Sequence, residues 1–136
     1  MSETGHATGM AGEFHAMEIL HRLGHQPALT LGNAKTIDIL SKAPSGKIYQ
    51  VSVKAIRGGG KWGIGKDDYS KSENLVFMLF WYKDFGNIEA HPETWIIPAT
   101  QAEAIKRPWH KQFGLYLYKE YAHLLDPYKS AWENLA

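Results

Sequence analysis

Three ionisable residues on successive predicted elements have the types and the order of a site for phosphodiester chemistry. Glu13 lies on a predicted helix, Asp38 on a later strand and Lys54 on the strand after that. Carboxylates hold a divalent ion such as magnesium through oxygen, and an ammonium beside it orients or deprotonates water and stabilises charge on a phosphate. A structural salt bridge between Asp38 and Lys54 is the alternative interpretation.

Residues 50–54 form the strand around which this set is organised. Successive side chains on a strand point to opposite faces, so the two valines share one face and Gln50, Ser52 and Lys54 form a polar row on the other. A lysine in a valine-rich strand requires a negative partner, because a buried ammonium loses its hydration. Asp38 on the neighbouring strand is placed to be that partner.

The first predicted helix positions the glutamate. Its spacing from residue 10 to residue 23 places Glu13 near the middle of an apolar arc that contains Met10, Phe14 and Met17. Gly24 is a typical helix end. A carboxylate directed at the core needs a cation, a metal or a backbone amide as its partner.

The rest of the pattern predicts one α/β domain over residues 9–136, after a flexible tail at residues 1–8. The turn at residues 43–46 joins the Asp38 and Lys54 strands as an antiparallel hairpin. The Asp38 strand is predicted at 35–40, and we expect further strands at 28–31, 75–82 and 95–98, a turn at 32–33, helices at 99–106 and 126–135, and an ambiguous segment at 109–118. This order indicates a mixed sheet of about five strands flanked by helices.

Composition excludes several classes of protein. The chain has 136 residues, no cysteine and a net charge of +1. It therefore has no disulfide, cysteine-ligated zinc, thiol nucleophile or broadly basic surface, and the lack of cysteine fits a cytoplasmic protein. The longest apolar run, at 75–82, is too short to cross a bilayer, so we expect no membrane partner. The aromatic C-terminal region leaves a homodimer contact open.

A basic, glycine-rich segment at residues 57–66 is predicted to be a flexible loop beside the site. It carries Arg57, Lys61, Trp62 and Lys66. Cations contact phosphates and tryptophan stacks on bases, so these four residues are predicted nucleic-acid contacts. An ordinary solvated loop is the alternative.

Three short motifs follow one another along the chain. They are Gly12-Glu13-x-x-Ala16, Ile37-Asp38-Ile39 and Val51-Ser52-Val53-Lys54. In this order and spacing they resemble the PD-(D/E)XK nuclease superfamily, and within it the small restriction-endonuclease-like domains whose core motif ends in Gln-Val-Lys or Glu-Val-Lys. The resemblance covers most of residues 9–110.

The resemblance implies a restriction-endonuclease-like fold and cleavage of DNA that depends on magnesium or manganese. By position, Glu13 corresponds to the helix carboxylate, Asp38 to the metal-binding aspartate and Lys54 to the catalytic lysine. Ser52 and the backbone carbonyl of Val53 would complete the metal ligands.

Ser52 departs from the pattern of that superfamily, which usually has Glu, Asp or Gln at this position. A serine hydroxyl is shorter, neutral and a weaker ligand for a hard cation. Gln50, on the same face, is a candidate auxiliary ligand one pleat further along. The sequence therefore leaves two functions open: a metal-dependent DNA endonuclease, and a non-catalytic module that keeps the fold and binds nucleic acid or protein. A purely structural subunit is a third interpretation.

Overall fold

A computed structural model of the chain describes residues 3–30 and 37–136. Its helices and strands are α1 (Glu3–Arg22), β1 (Gln26–Leu29), β2 (Ile39–Lys42), β3 (Ile48–Ile56), β4 (Lys61–Gly65), β5 (Leu75–Trp81), β6 (Glu93–Pro98), α2 (Ala99–Ile105), β7 (Arg107–Trp109), β8 (Gln112–Tyr116) and α3 (Ala122–Leu125). The turn predicted at 32–33 and the start of the strand predicted at 35–40 lie outside the described residues.

Five strands form a mixed sheet in the order β1-β2-β3-β5-β6. Strands β3 and β5 are parallel, and the other neighbours are antiparallel. The apolar β5 lies near the centre with both faces covered, which is why its sequence does not alternate. The predicted α/β fold with a five-stranded mixed sheet is confirmed.

The two faces of this sheet carry separate cores. Helix α1 packs on one face, where Val51, Val53 and Phe80 are buried. Helix α2 packs with a second sheet, of order β4-β8-β7, against the other face, where Phe77 and Leu79 are buried. Within the described residues, no helix is both long and apolar enough to cross a membrane.

The first helix differs from its prediction in start and orientation. It begins at Glu3, so most of the tail predicted at residues 1–8 is helical. Met10 is 37% exposed and Phe14 is 59% exposed, although the apolar arc predicted from the sequence contains both. The buried side of the helix is a line of mostly small residues at a spacing of four: Thr8, Gly12, Ala16 and Leu20.

Three predictions for later segments are corrected. The loop predicted at 57–66 contains β4, whose Trp62 and Ile64 alternate inward against β8. The ambiguous segment at 109–118 is largely the end of the β7–β8 hairpin. The last predicted helix is two short 3-10 turns, Asp126–Tyr128 and Trp132–Leu135, because the chain between them reverses at Ser130, whose φ is 51°.

Candidate active site

The backbone hydrogen-bond ladder between β2 and β3 opens at Asp38. The Asp38 amide still donates to the Val51 carbonyl, at 2.9 Å. One step further along β3, the Val53 amide donates to Asp38 Oδ2 at 2.7 Å, so a side-chain carboxylate is its acceptor. The preceding carbonyl, of Ile37, accepts a hydrogen bond from Thr30 Oγ1 at 2.6 Å. The Ile37 carbonyl is therefore bonded on the β1 side of the sheet and not to β3, and the Asp38 carboxylate lies where the β2–β3 ladder opens.

The backbone of Val53 contributes a second oxygen to this gap. In a strand, the N–H and C=O of one residue point to the same side. Because the Val53 amide points at Asp38, its carbonyl also faces the opening between β2 and β3. A carboxylate and a carbonyl oxygen, both suitable ligands for a hard cation, thus face the same space.

Helix α1 brings Glu13 to the same place. The helix lies so close to the sheet at Gly12 that an added Cβ would be 2.8 Å from Ala55 Cβ on β3. Glu13 is the next residue, half-buried at the edge of this contact. Burial raises the pKa of the Glu13 carboxyl, and the negative charge of Asp38 raises it further.

Lys54 acts on the aspartate without a direct ion pair. Burial raises the pKa of Asp38, while the hydrogen bond from Val53 and the positive charge of Lys54 offset part of that rise. Among the described residues, the ion pairs within 4.0 Å do not include one between Asp38 and Lys54. The structure therefore gives no support to a structural salt bridge between the two strands.

Two partly desolvated carboxylates that repel each other favour a cation between them. The described part of the chain holds no cluster of three or more His, Cys, Asp or Glu residues suited to a metal. Magnesium does not require one, because it keeps several waters and is commonly held by one or two carboxylates together with substrate phosphates. The oxygens of Glu13, Asp38 and Val53 therefore fit magnesium better than a metal that needs a full protein cage.

The other two polar residues of β3 lie apart from this set. Ser52 is fully buried, and its Oγ has no hydrogen-bond partner within the described part of the chain. A covered hydroxyl offers no oxygen to a hydrated ion, which argues against the ligand role predicted for Ser52. Gln50 lines a cleft with Ile37, Asp67 and Asp68.

The predicted nucleic-acid residues have different environments. Trp62 is 1% exposed and its indole N–H donates to the Phe80 carbonyl at 3.1 Å, so the stacking role predicted for it is wrong. Arg57 donates through Nε to Thr8 Oγ1 at 2.7 Å and ties α1 to the end of β3. Lys61 lies 4.6 Å from the centre of the Trp109 ring, and Lys66 is exposed.

Sequence reasoning missed the residues that set the position of α1. Thr8 and Gly12 bring the helix against β3 and thereby place Glu13. Their signal is the spacing of four that they share with Ala16. Hydrophobicity alone does not detect it, because small residues contribute little to an apolar arc.

Comparison with solved structures finds a similar fold. The structure titled as that of a bacterial homing endonuclease, I-Ssp6803I, matches with a TM-score of 0.58 over 93% of this chain and 88% of the other, at 11% sequence identity. At this identity the likeness concerns the fold. No family model and no curated protein sequence matches the chain.

Proposed function

We propose that this protein is a divalent-metal-dependent endonuclease of the restriction-endonuclease-like type that hydrolyses DNA phosphodiester bonds. The observation that carries the proposal is the opened hairpin, in which the Asp38 carboxylate accepts the hydrogen bond of the Val53 amide and lies within electrostatic range of Glu13 and Lys54. The fold shared with a homing endonuclease supports it.

The metal ligands in this proposal are Glu13, Asp38 and the Val53 carbonyl, with magnesium or manganese as the ion. When bound, such an ion polarises a phosphoryl oxygen and lowers the pKa of a coordinated water. The hydrogen bond from the Val53 amide fixes one Asp38 oxygen, which leaves the other oxygen as a ligand.

The residue that serves the reaction itself is Lys54. The residue is half-buried, and its positive charge acts on Asp38 in surroundings where charge interactions are stronger than in bulk water. In that position it stabilises the added negative charge on the phosphate and orients the attacking water by hydrogen bonding.

Nicking of supercoiled plasmid DNA in magnesium or manganese tests the proposal. We expect cleavage by the wild type and a loss of at least about a hundredfold in Asp38→Asn and Lys54→Ala, as for removal of other charge-stabilising groups. The matched control is Lys42→Ala, which removes an exposed lysine from β2 and should cleave normally. Absence of cleavage with every divalent ion contradicts the proposal.

The burial of Ser52 favours a second candidate function, a metal-free binding module with the same fold. Such a module would bind DNA equally well in EDTA and in manganese, and Asp38→Asn would leave its binding unchanged. A manganese-dependent rise in DNA affinity that Asp38→Asn abolishes would exclude it.

A further inference from the structure

The second sheet presents an outer face that the proposed chemistry does not use. Residues of β4 and β8 alternate between the core and this face, because Trp62, Ile64 and Leu115 point inward. Gln112 lies on this face, paired with Trp109. The other side chains considered on or beside it are aromatic or cationic, and we call them the aromatic face: Lys61, Arg107, Trp109, Tyr116, Tyr118 and Tyr121.

Two glycines make this face flat. A Cβ on Gly63 would lie 2.8 Å from both the Trp109 ring and Gln112 Oε1, and a Cβ on Gly114 would lie 3.3 Å from the Trp109 ring. Trp109 therefore lies across the sheet where neighbouring strands carry no side chains. The Lys61 ammonium lies 4.6 Å from the centre of that ring, so a positive charge accompanies the flat surface.

A tyrosine stack continues the face beyond the end of β8. Tyr116 and Tyr118 are stacked with ring centres 5.3 Å apart, and Tyr121 lies 5.9 Å from Tyr116. Tyr118 is 47% exposed although it is a large aromatic residue. The Arg107 guanidinium lies 5.1 Å from the Tyr121 ring and is exposed.

The charges and the exposed rings of the aromatic face together indicate which class of molecule binds there. From residue 107 to residue 121 the chain carries Arg107, Lys111 and Lys119 against a single acidic residue, Glu120. Cations that follow a phosphate backbone, combined with exposed rings on which bases stack, are the features of single-stranded nucleic-acid binding. A duplex offers no unstacked base to such rings.

We propose that the aromatic face binds an unpaired segment of nucleic acid, with Tyr118 stacking on a base and Lys61 and Arg107 contacting phosphates. This inference rests on the proposed function, since it assigns the substrate segment that the nuclease site would receive. Gly60 connects the two regions: it follows the end of β3, and its carbonyl accepts a hydrogen bond from the Leu117 amide at 2.7 Å.

Fluorescence anisotropy of the full chain with a labelled oligothymidylate in EDTA tests the aromatic face without requiring cleavage. We expect Tyr118→Ala to weaken binding by about 5- to 100-fold, the range for loss of one base–aromatic stack. Tyr118→Phe keeps the ring and should bind within about twofold of the wild type on the same grounds. Ile88→Ala, which trims a residue 96% exposed elsewhere, is the control for nonspecific effects.

Equal affinity of Tyr118→Ala and wild type would overturn the inference, as would tighter binding of a duplex of the same length. Absence of any oligonucleotide binding would overturn it as well. Because the assay contains no metal, these results are separable from the plasmid test. Tyr118-dependent binding without plasmid cleavage would refute only the nuclease function. Plasmid cleavage without Tyr118-dependent binding would refute only the role proposed for the aromatic face.

Discussion

At the scale of single residues, the negative charge on Asp38 lowers the stability of the fold but is needed for the proposed function. Burial raises the pKa of the Asp38 carboxyl, and the hydrogen bond from Val53 and the positive charge of Lys54 offset only part of that rise, so folding favours the neutral form. A group with a raised pKa in the folded state adds stability below its unfolded pKa and loses that contribution as the pH rises through the folded value. At neutral pH the charge on Asp38 therefore destabilises the fold.

Asp38→Asn should accordingly melt at a higher temperature than the wild type at pH 7, while it loses the proposed activity. The amide oxygen of asparagine still accepts the hydrogen bond from Val53, so only the charge is removed. Thermal unfolding followed by circular dichroism measures the difference, which should disappear as the pH falls below about 3.9, the pKa of Asp in an unfolded chain.

Asp84→Asn is the matched control for that measurement, because Asp84 is exposed on the loop after β5. Its melting temperature should equal that of the wild type at pH 7. A lower melting temperature for Asp38→Asn than for Asp84→Asn would show that the Asp38 charge stabilises the fold, contrary to this account.

At the scale of elements, the close contact between α1 and β3 positions the helix carboxylate. Gly12→Ala places a methyl group 2.8 Å from Ala55 Cβ, and neither atom can rotate away. We expect a loss of about 1–3 kcal/mol in the free energy of unfolding, as in other overpacked cores. Manganese affinity should also fall, because the displaced helix carries Glu13. Urea unfolding and calorimetry measure the two effects.

Gly9→Ala separates packing from helix propensity. No atom lies within 4 Å of a Cβ built at Gly9, so this variant gains the propensity of alanine, about 1 kcal/mol, without a clash. Its manganese affinity should equal that of the wild type. If Gly12→Ala and Gly9→Ala had the same free energy of unfolding and the same manganese affinity, the contact at Gly12 would not determine the position of the helix.

The elements also show which patterns in the sequence were informative. The hairpin that carries Asp38 and Lys54 was predictable because a Pro-Ser-Gly turn separates two alternating segments. Strand β4 was missed because Gly63 and Gly65 occupy its outer face, so half of the alternation has no side chains. The inward-facing residues Trp62 and Ile64, two residues apart, were the part of the alternating pattern that still indicated a strand.

The parting of the hairpin could not be predicted from alternation alone. A strand pattern places Asp38 on a face of the sheet, whereas the structure places its carboxylate in the plane of the hydrogen-bond ladder. On the β1 side, the Thr30 hydroxyl donates to the Ile37 carbonyl at 2.6 Å, a side-chain hydrogen bond that strand alternation does not reveal. The candidate residues could thus be named from the sequence, but the geometry around Asp38 also involves Thr30, which follows β1.

At the scale of the whole molecule, the C-terminal segment closes the core beneath α1. Leu135 is 1% exposed, and its carbonyl lies 2.7 Å from Nε2 of the buried His25. The Tyr49 hydroxyl donates to the Ala136 carbonyl at 2.5 Å. Residues far apart in sequence therefore hold the α1 side of the sheet together, at a distance from the candidate site.

Leu135→Ala should lower the free energy of unfolding by about 2–5 kcal/mol, because it leaves a cavity in this core. Ile88→Ala, at a residue 96% exposed, should have no measurable effect. Urea unfolding gives both values. If Leu135→Ala lowered the free energy of unfolding no more than Ile88→Ala does, the C-terminal turns would not be part of the core.

The most direct test of the central claim is a calorimetric titration of manganese into the wild type and Asp38→Asn, with Asp84→Asn as the control. We expect one site in the wild type and in the control, and an affinity at least about tenfold lower in Asp38→Asn, as for a lost metal contact. Equal manganese binding by wild type and Asp38→Asn, or no binding by the wild type, would contradict a metal site between Glu13 and Asp38.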